Sequence, residues 1–270
     1  MGWHRVGGKH NVEIIALIDA SILPAARMVL VFAIVFAAGV LRGYTGFGFA
    51  LAAAPMLALI VPPVRVVPLV LCLEIVASAQ MLSGLWREVH FRSVAWLGLG
   101  SLVGVPLGLW GLAMLPADVM RLAIALTVLV SVAGLVAGLR FRRPPGGGTT
   151  LLVGALSGLF NGGAAMGGPP VILFYLGAQT AVSVGRASLV FYFSLIDLAA
   201  AVLAAASGLL TTPLAILAAL CVPVLLAGQA IGTRLFHSSL QRHYRAVAIV
   251  VLTAVGLAVL MQSVAQLWVR

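Results

Sequence analysis

Charged residues are scarce in this chain. Only 8% of its residues are Asp, Glu, Lys or Arg, while 63% are hydrophobic and the mean hydropathy is +1.19. Because soluble globular domains carry roughly a quarter charged residues, this composition excludes a water-soluble domain. The apolar runs are continuous and do not alternate with polar residues, which excludes a β-barrel. The sequence therefore predicts an all-α polytopic membrane protein.

Residues that bind metals or nucleotides are also few. The two cysteines, Cys72 and Cys221, both lie inside apolar runs, which is typical of small buried side chains and not of a disulfide or a metal site. The five histidines lie in the N-terminal segment or near the ends of apolar runs. The chain has no Walker motif and no polar stretch long enough for an ATP-binding domain. We expect no metal, no cofactor and no ATP-driven transport by this chain alone.

Acidic residues are outnumbered, with 6 Asp and Glu against 16 Lys and Arg. The basic residues lie mostly between apolar runs, where they set membrane topology and contact anionic lipid. This placement indicates a lipid bilayer as the partner of the positive charge, and we expect no nucleic-acid binding. The loops on the side of the polar segment 140–148 hold most of the arginines. The positive-inside rule then predicts that this segment is cytoplasmic and that both termini lie outside.

Apolar runs follow one another on both sides of the 140–148 linker. A complete span needs about 20 apolar residues, and several of these runs are shorter or are interrupted by glycine and proline. We expect roughly 8–10 transmembrane segments, with about five helical segments in each half. The runs lie at 28–41, 44–61, 66–85, 94–115, 119–139, 149–161, 168–180, 184–210, 213–236 and 244–267.

The two halves of the chain repeat one plan. The sequence GVLRG at 39–43 corresponds to GLFNG at 158–162, an offset of 119. GVPLG at 104–108 corresponds to GQAIG at 228–232, an offset of 124. We interpret these matches as an internal duplication. An odd number of segments per half places the halves in opposite orientations, which predicts the inverted repeats of many secondary transporters.

The duplication divides the chain into four parts. A first transmembrane repeat covers 28–139 and a second covers 149–270, with the cytoplasmic linker 140–148 between them. Residues 1–27 are expected to form an N-terminal extension, as a helix at the membrane interface.

Two glycine-rich stretches, Gly39–Pro62 and Gly158–Pro170, break the first pair of segments in each half. In hydrocarbon a broken helix is tolerated only where protein or a water-filled cavity covers its backbone. Such a stretch serves either close helix packing or a substrate pathway. Because the two stretches occupy matching positions, we favour broken or re-entrant segments whose N-termini present N–H groups to an anion. For the glycine pairs at 104/108 and 228/232, packing is the better interpretation.

Four charged residues fall within the apolar segments or beside them. Arg42 and Arg186 suit bidentate contact with an oxyanion, although each could instead anchor the chain at the headgroup level. Glu74 and Asp197 are candidates for proton coupling. A structural ion pair with an arginine, or a protonated carboxyl bonded to a backbone carbonyl, would explain them equally well.

The sequence resembles the sulfite exporter TauE/SafE family. The resemblance is carried by RGYTGFGFA at 42–50 followed by Pro55, by NGGAAMGGPP at 161–170, by GRASL at 185–189 and by the span with GVPLG. It extends from about residue 28 to 267. It implies a secondary carrier for sulfite, sulfonates and related small oxyanions, without a cofactor. The second motif has Met166 where the first has Phe47, so the two half-sites are not expected to be equivalent.

The resemblance implies a site lined by both glycine motifs, in agreement with the choice from the residues themselves. The candidate substrate-binding residues are Arg42, Thr45, Gly46, Phe47, Gly48, Asn161, Gly162, Gly167, Gly168, Pro169 and Arg186.

We expect a non-enzymatic, alternating-access exporter of small sulfur-containing anions in a bacterial-type inner membrane, with proton coupling as one option. An intramembrane enzyme acting on a lipid phosphate is a second hypothesis, but neither glycine stretch contains a carboxylate or histidine for acid–base chemistry. A passive anion channel is a third. The sequence leaves the transported anion, the direction and the oligomeric state open, and a homodimer is among the alternatives.

Overall fold

The computed structural model describes residues 25–45, 48–82, 85–137, 145–178 and 181–237, together with 257 and 261. The N-terminal extension up to residue 24, most of the linker and nearly all of the last predicted segment lie outside these described residues. All regular secondary structure in the described part of the chain is helical, as the composition predicts.

Nine α-helices and one short 3₁₀ turn, Trp86–Glu88, make up the described part of the chain. The helices follow the predicted apolar runs, and α6 begins inside the last residues of the predicted linker. They are α1 (Ala25–Thr45), α2 (Phe49–Ala58), α3 (Pro63–Leu82), α4 (Phe91–Met114), α5 (Ala117–Ala137), α6 (Gly147–Ala164), α7 (Gly168–Gly177), α8 (Val182–Ala206) and α9 (Thr212–His237).

Five of the described helices are long and apolar enough to cross a membrane. These spans are Arg27–Tyr44, Pro63–Leu82, Phe91–Met114, Ser183–Ala206 and Thr212–Leu235. The prediction of an all-helical, multi-pass membrane protein is confirmed, while the larger number of roughly 8–10 segments stays a prediction. On α4, side chains such as Leu102 and Trp110 are largely exposed, which fits contact with lipid.

The helices α2 and α7 are half-length. Each contains 10 residues. At 1.5 Å per residue this is about 15 Å, half of the roughly 30 Å hydrocarbon core. Each follows a longer helix with only a short break between them, so the pairs α1–α2 and α6–α7 are the broken segments that the two glycine stretches predict.

Two helix–helix contacts lined by glycine, here called seams, join helices from different halves of the chain. Helix α1 packs along α9, and α4 packs along α6. A Cβ atom placed on Gly43 of α1 would lie 2.1 Å from the backbone oxygen of Gln229 in α9. One placed on Gly104 of α4 would lie 2.1 Å from the backbone oxygen of Ala155 in α6. The backbones are therefore in direct contact, which confirms the packing interpretation of the 104/108 and 228/232 glycines.

The packing brings the two broken pairs together. In these seams the first described helix of each half lies against the fourth of the other half, so α1 lies against α9 and α6 lies against α4. Helices α3 and α8, the third of each half, pack against each other between the seams. The breaks after α1 and α6 consequently face a common space.

Candidate functional site

A small cavity, about 30 Å³ in volume, lies between the two helix breaks. Helices α1, α3 and α8 contribute side chains to it, and both half-helices direct their N-terminal residues toward it. Its lining residues are Arg42, Gly48, Ala50, Leu51, Glu74, Asn161, Ala165, Met166, Gly167, Gly168, Ile172, Phe193 and Asp197. Cationic, acidic, amide and apolar groups are thus combined in one small space.

The first break ends at Gly48, whose backbone conformation is one that residues with a side chain rarely adopt. Gly48 caps the N-terminus of α2 with φ 96°, in the left-handed region where a side chain is strained. Helix α2 then runs away from the cavity, with Pro55 inside it. Its first residues, including Ala50 and Leu51, line the cavity, so the positive end of this half-helix faces the site.

The second break is closed in a different way. Helix α6 ends at Ala164, and Ala165 adopts a left-handed conformation with φ 55°, which is uncommon for a residue with a side chain. Helix α7 begins at Gly168 and has prolines in its first turn. Proline suits this position because its φ is already helical, but it brings no N–H group. The N-terminus of α7 therefore offers fewer backbone donors than that of α2.

A buried ion pair lies beside the first break. Arg42 and Glu74 are 2% and 6% exposed and are bonded to each other through the Arg42 Nη1 and Glu74 Oε2 atoms. Arg42 Nη2 also donates to Ser78 Oγ at 2.7 Å, and Glu74 Oε1 accepts the backbone N–H of Ala50 at 3.0 Å. The pair therefore links α1, α3 and the N-terminus of α2.

A neutral set of polar groups occupies the second break. Asn161 lies 119 residues after Arg42, at the position that the predicted repeat pairs with it. Its Oδ1 accepts the backbone N–H of Gly167 at 3.3 Å, while Ser157 Oγ donates to the Gly167 carbonyl at 2.5 Å. The side chains of α6 thus hold the turn that leads into α7.

Two buried N–H groups at the cavity have no hydrogen-bond partner in the described structure. They are Arg42 Nε and Asn161 Nδ2, from residues that are 2% and 1% exposed. Buried donors are nearly always hydrogen-bonded, because leaving one unpaired costs about 1–3 kcal/mol. Both groups are donors, so the arrangement suits a ligand that accepts hydrogen bonds, and for Asn161 such a ligand would compete with the nearby Asp197 carboxyl.

Asp197 brings a second carboxyl group to the cavity. It is 3% exposed, lies beside the Asn161 side chain, and is close enough to Glu74 and Arg42 to interact with their charges. The cavity therefore holds two carboxyl groups and one guanidinium group in a small space. The cavity can therefore contain an acid group whose protonation changes its net charge.

The structure brings seven of the predicted residues to the cavity wall, including both proton-coupling candidates. Gly162 and Pro169 are buried nearby but do not line the cavity, and Gly162 packs against the backbone of Val105. Gly46, Phe47 and the side chains of Thr45 and Arg186 lie outside the described residues. The residues at the wall are Arg42, Gly48, Glu74, Asn161, Gly167, Gly168 and Asp197.

Sequence reasoning missed two hydroxyl groups. Ser78 bonds Arg42, and Ser157 bonds the turn after Asn161. Each lies one helical turn from a predicted residue, because Ser78 follows Glu74 by four positions and Ser157 precedes Asn161 by four. That spacing puts both on the same face as a site residue, which is the signal that could have found them.

A multi-pass helical protein with broken half-helices around a buried polar cavity is typical of the class of membrane transporters. The sequence model of the family described as "Sulfite exporter TauE/SafE" matches residues 31–259. The chain belongs to this family, whose members are transporters and not enzymes, and the resemblance seen in the sequence is confirmed. Membership in this family contradicts the hypothesis of an intramembrane enzyme.

A relative from Cupriavidus necator carries the name "Probable sulfite/organosulfonate exporter TauE". It is 28% identical over 232 residues, which cover 83% of this chain and 90% of the relative. No solved structure matches the chain.

Proposed function

We propose that this protein is a secondary transporter that exports small sulfur-containing anions, such as sulfite or organosulfonates, across a bacterial-type inner membrane. The observation that carries this proposal is the pair of unpartnered buried donors, Arg42 Nε and Asn161 Nδ2, at one cavity. They come from corresponding positions of the two halves, so one small anion between the breaks would accept a hydrogen bond from each. The family and the name of the Cupriavidus relative support sulfur oxyanions as the substrate class.

The charges around the cavity also support a proton as the coupling ion. Glu74 neutralises much of the Arg42 charge. A bound anion would therefore be held mainly by hydrogen bonds from the N–H donors and by the positive N-terminus of α2. An ionised Asp197 in the same cavity would repel that anion. Anion binding therefore favours the protonated form of Asp197.

Alternating access between inverted halves is the proposed transport mechanism. Its support is the exchanged packing, in which α1 lies on α9 and α6 lies on α4, with the cavity between the two halves. Two halves that each supply half of a site can rock against each other and open it to either side in turn. In this proposal the 140–148 linker faces the cytoplasm and the termini face outward, as the arginine distribution predicts.

The test is flux through purified protein in liposomes. Sulfite and small sulfonates are offered outside vesicles preloaded with the same unlabelled anion, and labelled uptake is followed. A carrier shows uptake accelerated by the internal anion, whereas a channel does not. The wild type is expected to show this counterflow for at least one sulfur oxyanion.

The Arg42→Met variant is expected to abolish the flux, because it removes the unpartnered donor and the positive charge at the cavity. Arg65→Met is the matched control, since Arg65 lies on α3 and is exposed. Binding of cations but of no sulfur anion at any pH, or equal flux through both variants, would contradict the proposal.

A further inference from the structure

Polar side chains form a row that leads from the surface of the protein toward the cavity. The row begins at His90, an exposed residue that caps the N-terminus of α4. The His90 Nδ1 atom lies 2.9 Å from Ser93 Oγ, and Ser93 Oγ lies 2.7 Å from the hydroxyl of Tyr175 on α7. An exposed imidazole is thus joined to a buried phenol through one serine.

The row continues onto α8. Ser188 is fully buried, lies within hydrogen-bonding reach of the Tyr175 hydroxyl, and accepts the backbone N–H of His90 at 2.9 Å. Tyr192 follows Ser188 by four residues, so both side chains lie on the same face of α8. The Tyr192 hydroxyl is also close enough to the Tyr175 hydroxyl for their charges to interact, and a water molecule between these groups would complete the row.

The inner end of the row reaches the cavity. The Tyr192 side chain is fully buried, and its hydroxyl lies beside Ser157 and Ser101 without a formed hydrogen bond. Ser157 precedes Asn161 by one turn on α6, and Asn161 lies beside Asp197 at the cavity wall. The Tyr192 hydroxyl is also close enough to Asp197 for their charges to interact, so the row of hydroxyl groups ends beside the cavity carboxyl.

This row is unusual for the interior of a membrane protein. Burying a hydroxyl without a partner costs free energy, and Phe or Ala would fill the same volumes without that cost. Ionisable and polar groups that connect the surface with a buried carboxyl inside a membrane are typical of proton relays. Hydroxyl groups suit this task because each accepts a proton on one side and releases its own on the other, which leaves the group unchanged.

We propose that this row is the path by which a proton reaches Asp197 from the face of the protein that carries the α3–α4 loop. The inference rests on the proposed function, in which protonation of Asp197 accompanies anion binding. Glu74, Arg42 and Tyr192 are the titratable or charged groups that face Asp197, and at the other end Glu88 and Arg92 flank His90 in the sequence. The members of the path are His90, Ser93, Tyr175, Ser188, Tyr192 and Ser157.

The experiment separates anion movement from proton movement. Tyr192→Phe removes one hydroxyl and keeps the ring, and Tyr175→Phe does the same nearer the surface. Ser194→Ala is the control, because Ser194 lies on the same helix but bonds its own backbone, at the Val190 carbonyl. Sulfite counterflow at equal pH is measured first, and sulfite-dependent proton movement is then recorded with a pH dye inside the liposomes. Protein-free liposomes measure the protons that sulfite carries by itself.

We expect both phenylalanine variants to retain counterflow, because exchange at equal pH leaves Asp197 in one protonation state. Sulfite-dependent proton movement should fall at least about tenfold, as expected when a proton-transfer group is removed. Ser194→Ala should match the wild type in both measurements.

Unchanged proton movement in both phenylalanine variants would overturn the path. Loss of counterflow together with proton movement in both variants would also overturn it, since the hydroxyls would then serve the anion step. A wild type that moves no sulfite in either measurement contradicts the proposed function itself, which is a different outcome. If Tyr192→Phe does not fold, Tyr175→Phe alone decides between these results.

Discussion

The two helix breaks occupy corresponding positions but are stabilised by different chemistry. At the first break a buried ion pair, Arg42 with Glu74, holds α1, α3 and the start of α2 together. At the second, Asn161 and Ser157 hold the turn through bonds to the backbone of Gly167. One half supplies charge and the other supplies neutral polar groups. If the predicted duplication is taken as the origin of both breaks, their divergence placed the charge of the proposed anion site on one side only.

The energetic consequences of the two arrangements differ. Removing one partner of a buried ion pair leaves an unpaired charge away from water, which destabilises a protein by about 3–5 kcal/mol. A neutral hydrogen bond contributes only about 0.5–1.5 kcal/mol. The first break should therefore be much more sensitive to substitution than the second, and the comparison can be tested at three levels.

The largest effect is expected for Arg42→Met. This change leaves Glu74 buried without its partner and should lower the free energy of unfolding by about 3–5 kcal/mol. The double variant Arg42→Met/Glu74→Met should recover much of that loss, because both charges are gone. Thermal unfolding in detergent measures both. Equal destabilisation by the single and double variants would show that the charge pair is not the cause.

An intermediate effect is expected for the glycines next to each break that let the broken helix pack closely on its neighbour. The predicted repeat pairs Gly43 with Gly162. A Cβ atom on Gly43 would lie 2.1 Å, and one on Gly162 2.3 Å, from a backbone oxygen of the neighbouring helix. Each change to Ala should destabilise the protein by about 1–3 kcal/mol, as overpacking does.

The matched control for both glycines is Gly98→Ala, whose new Cβ would lie 3.8 Å from the nearest atom, on the Leu195 side chain. Its thermal stability should equal that of the wild type. The two glycine variants should lose similar amounts of thermal stability. A difference between them larger than the difference between Gly98→Ala and the wild type would show that the two seams do not support the structure equally.

The smallest effects are expected for the two serines. Ser78 accepts a hydrogen bond from a charged guanidinium, so Ser78→Ala should cost about 2 kcal/mol. Ser157 bonds a neutral carbonyl, so Ser157→Ala should cost about 1 kcal/mol. The same unfolding measurement orders them. A larger loss for Ser157→Ala would reverse the assignment of the second break as the weaker one.

Much of this arrangement could be predicted from the sequence because it rests on strong local signals. Glycine and proline in an apolar run force a helix break, and a charge such as Arg42 in that run needs a partner or a ligand. The particular partner could not be predicted. The sequence shows a glutamate in this span but does not show whether it forms an ion pair or carries a proton. Only the tertiary fold brings Arg42 within reach of Glu74.

The seams show a similar limit. Small residues at 104/108 and 228/232 predict close packing, but their spacing does not identify the helix on the other side. The pairing of α4 with α6 and of α1 with α9 depends on how the whole chain folds. Ser157 was missed because a serine in a helix is common, and its contact with Gly167 exists only after the chain has turned at Ala165.

The seam between α1 and α9 also constrains the order in which the helices can assemble during synthesis. Thr233 Oγ1 donates to the Gly43 carbonyl across this seam, and these residues are 190 positions apart in the chain. At about 5–20 residues per second, a ribosome needs roughly 10–40 seconds to add that length. Throughout this interval the glycine face of α1 has no final neighbour, while Glu74, only 32 residues after Arg42, is already available to it. The ion pair is therefore the contact that can fix the position of the first helix until the ninth emerges.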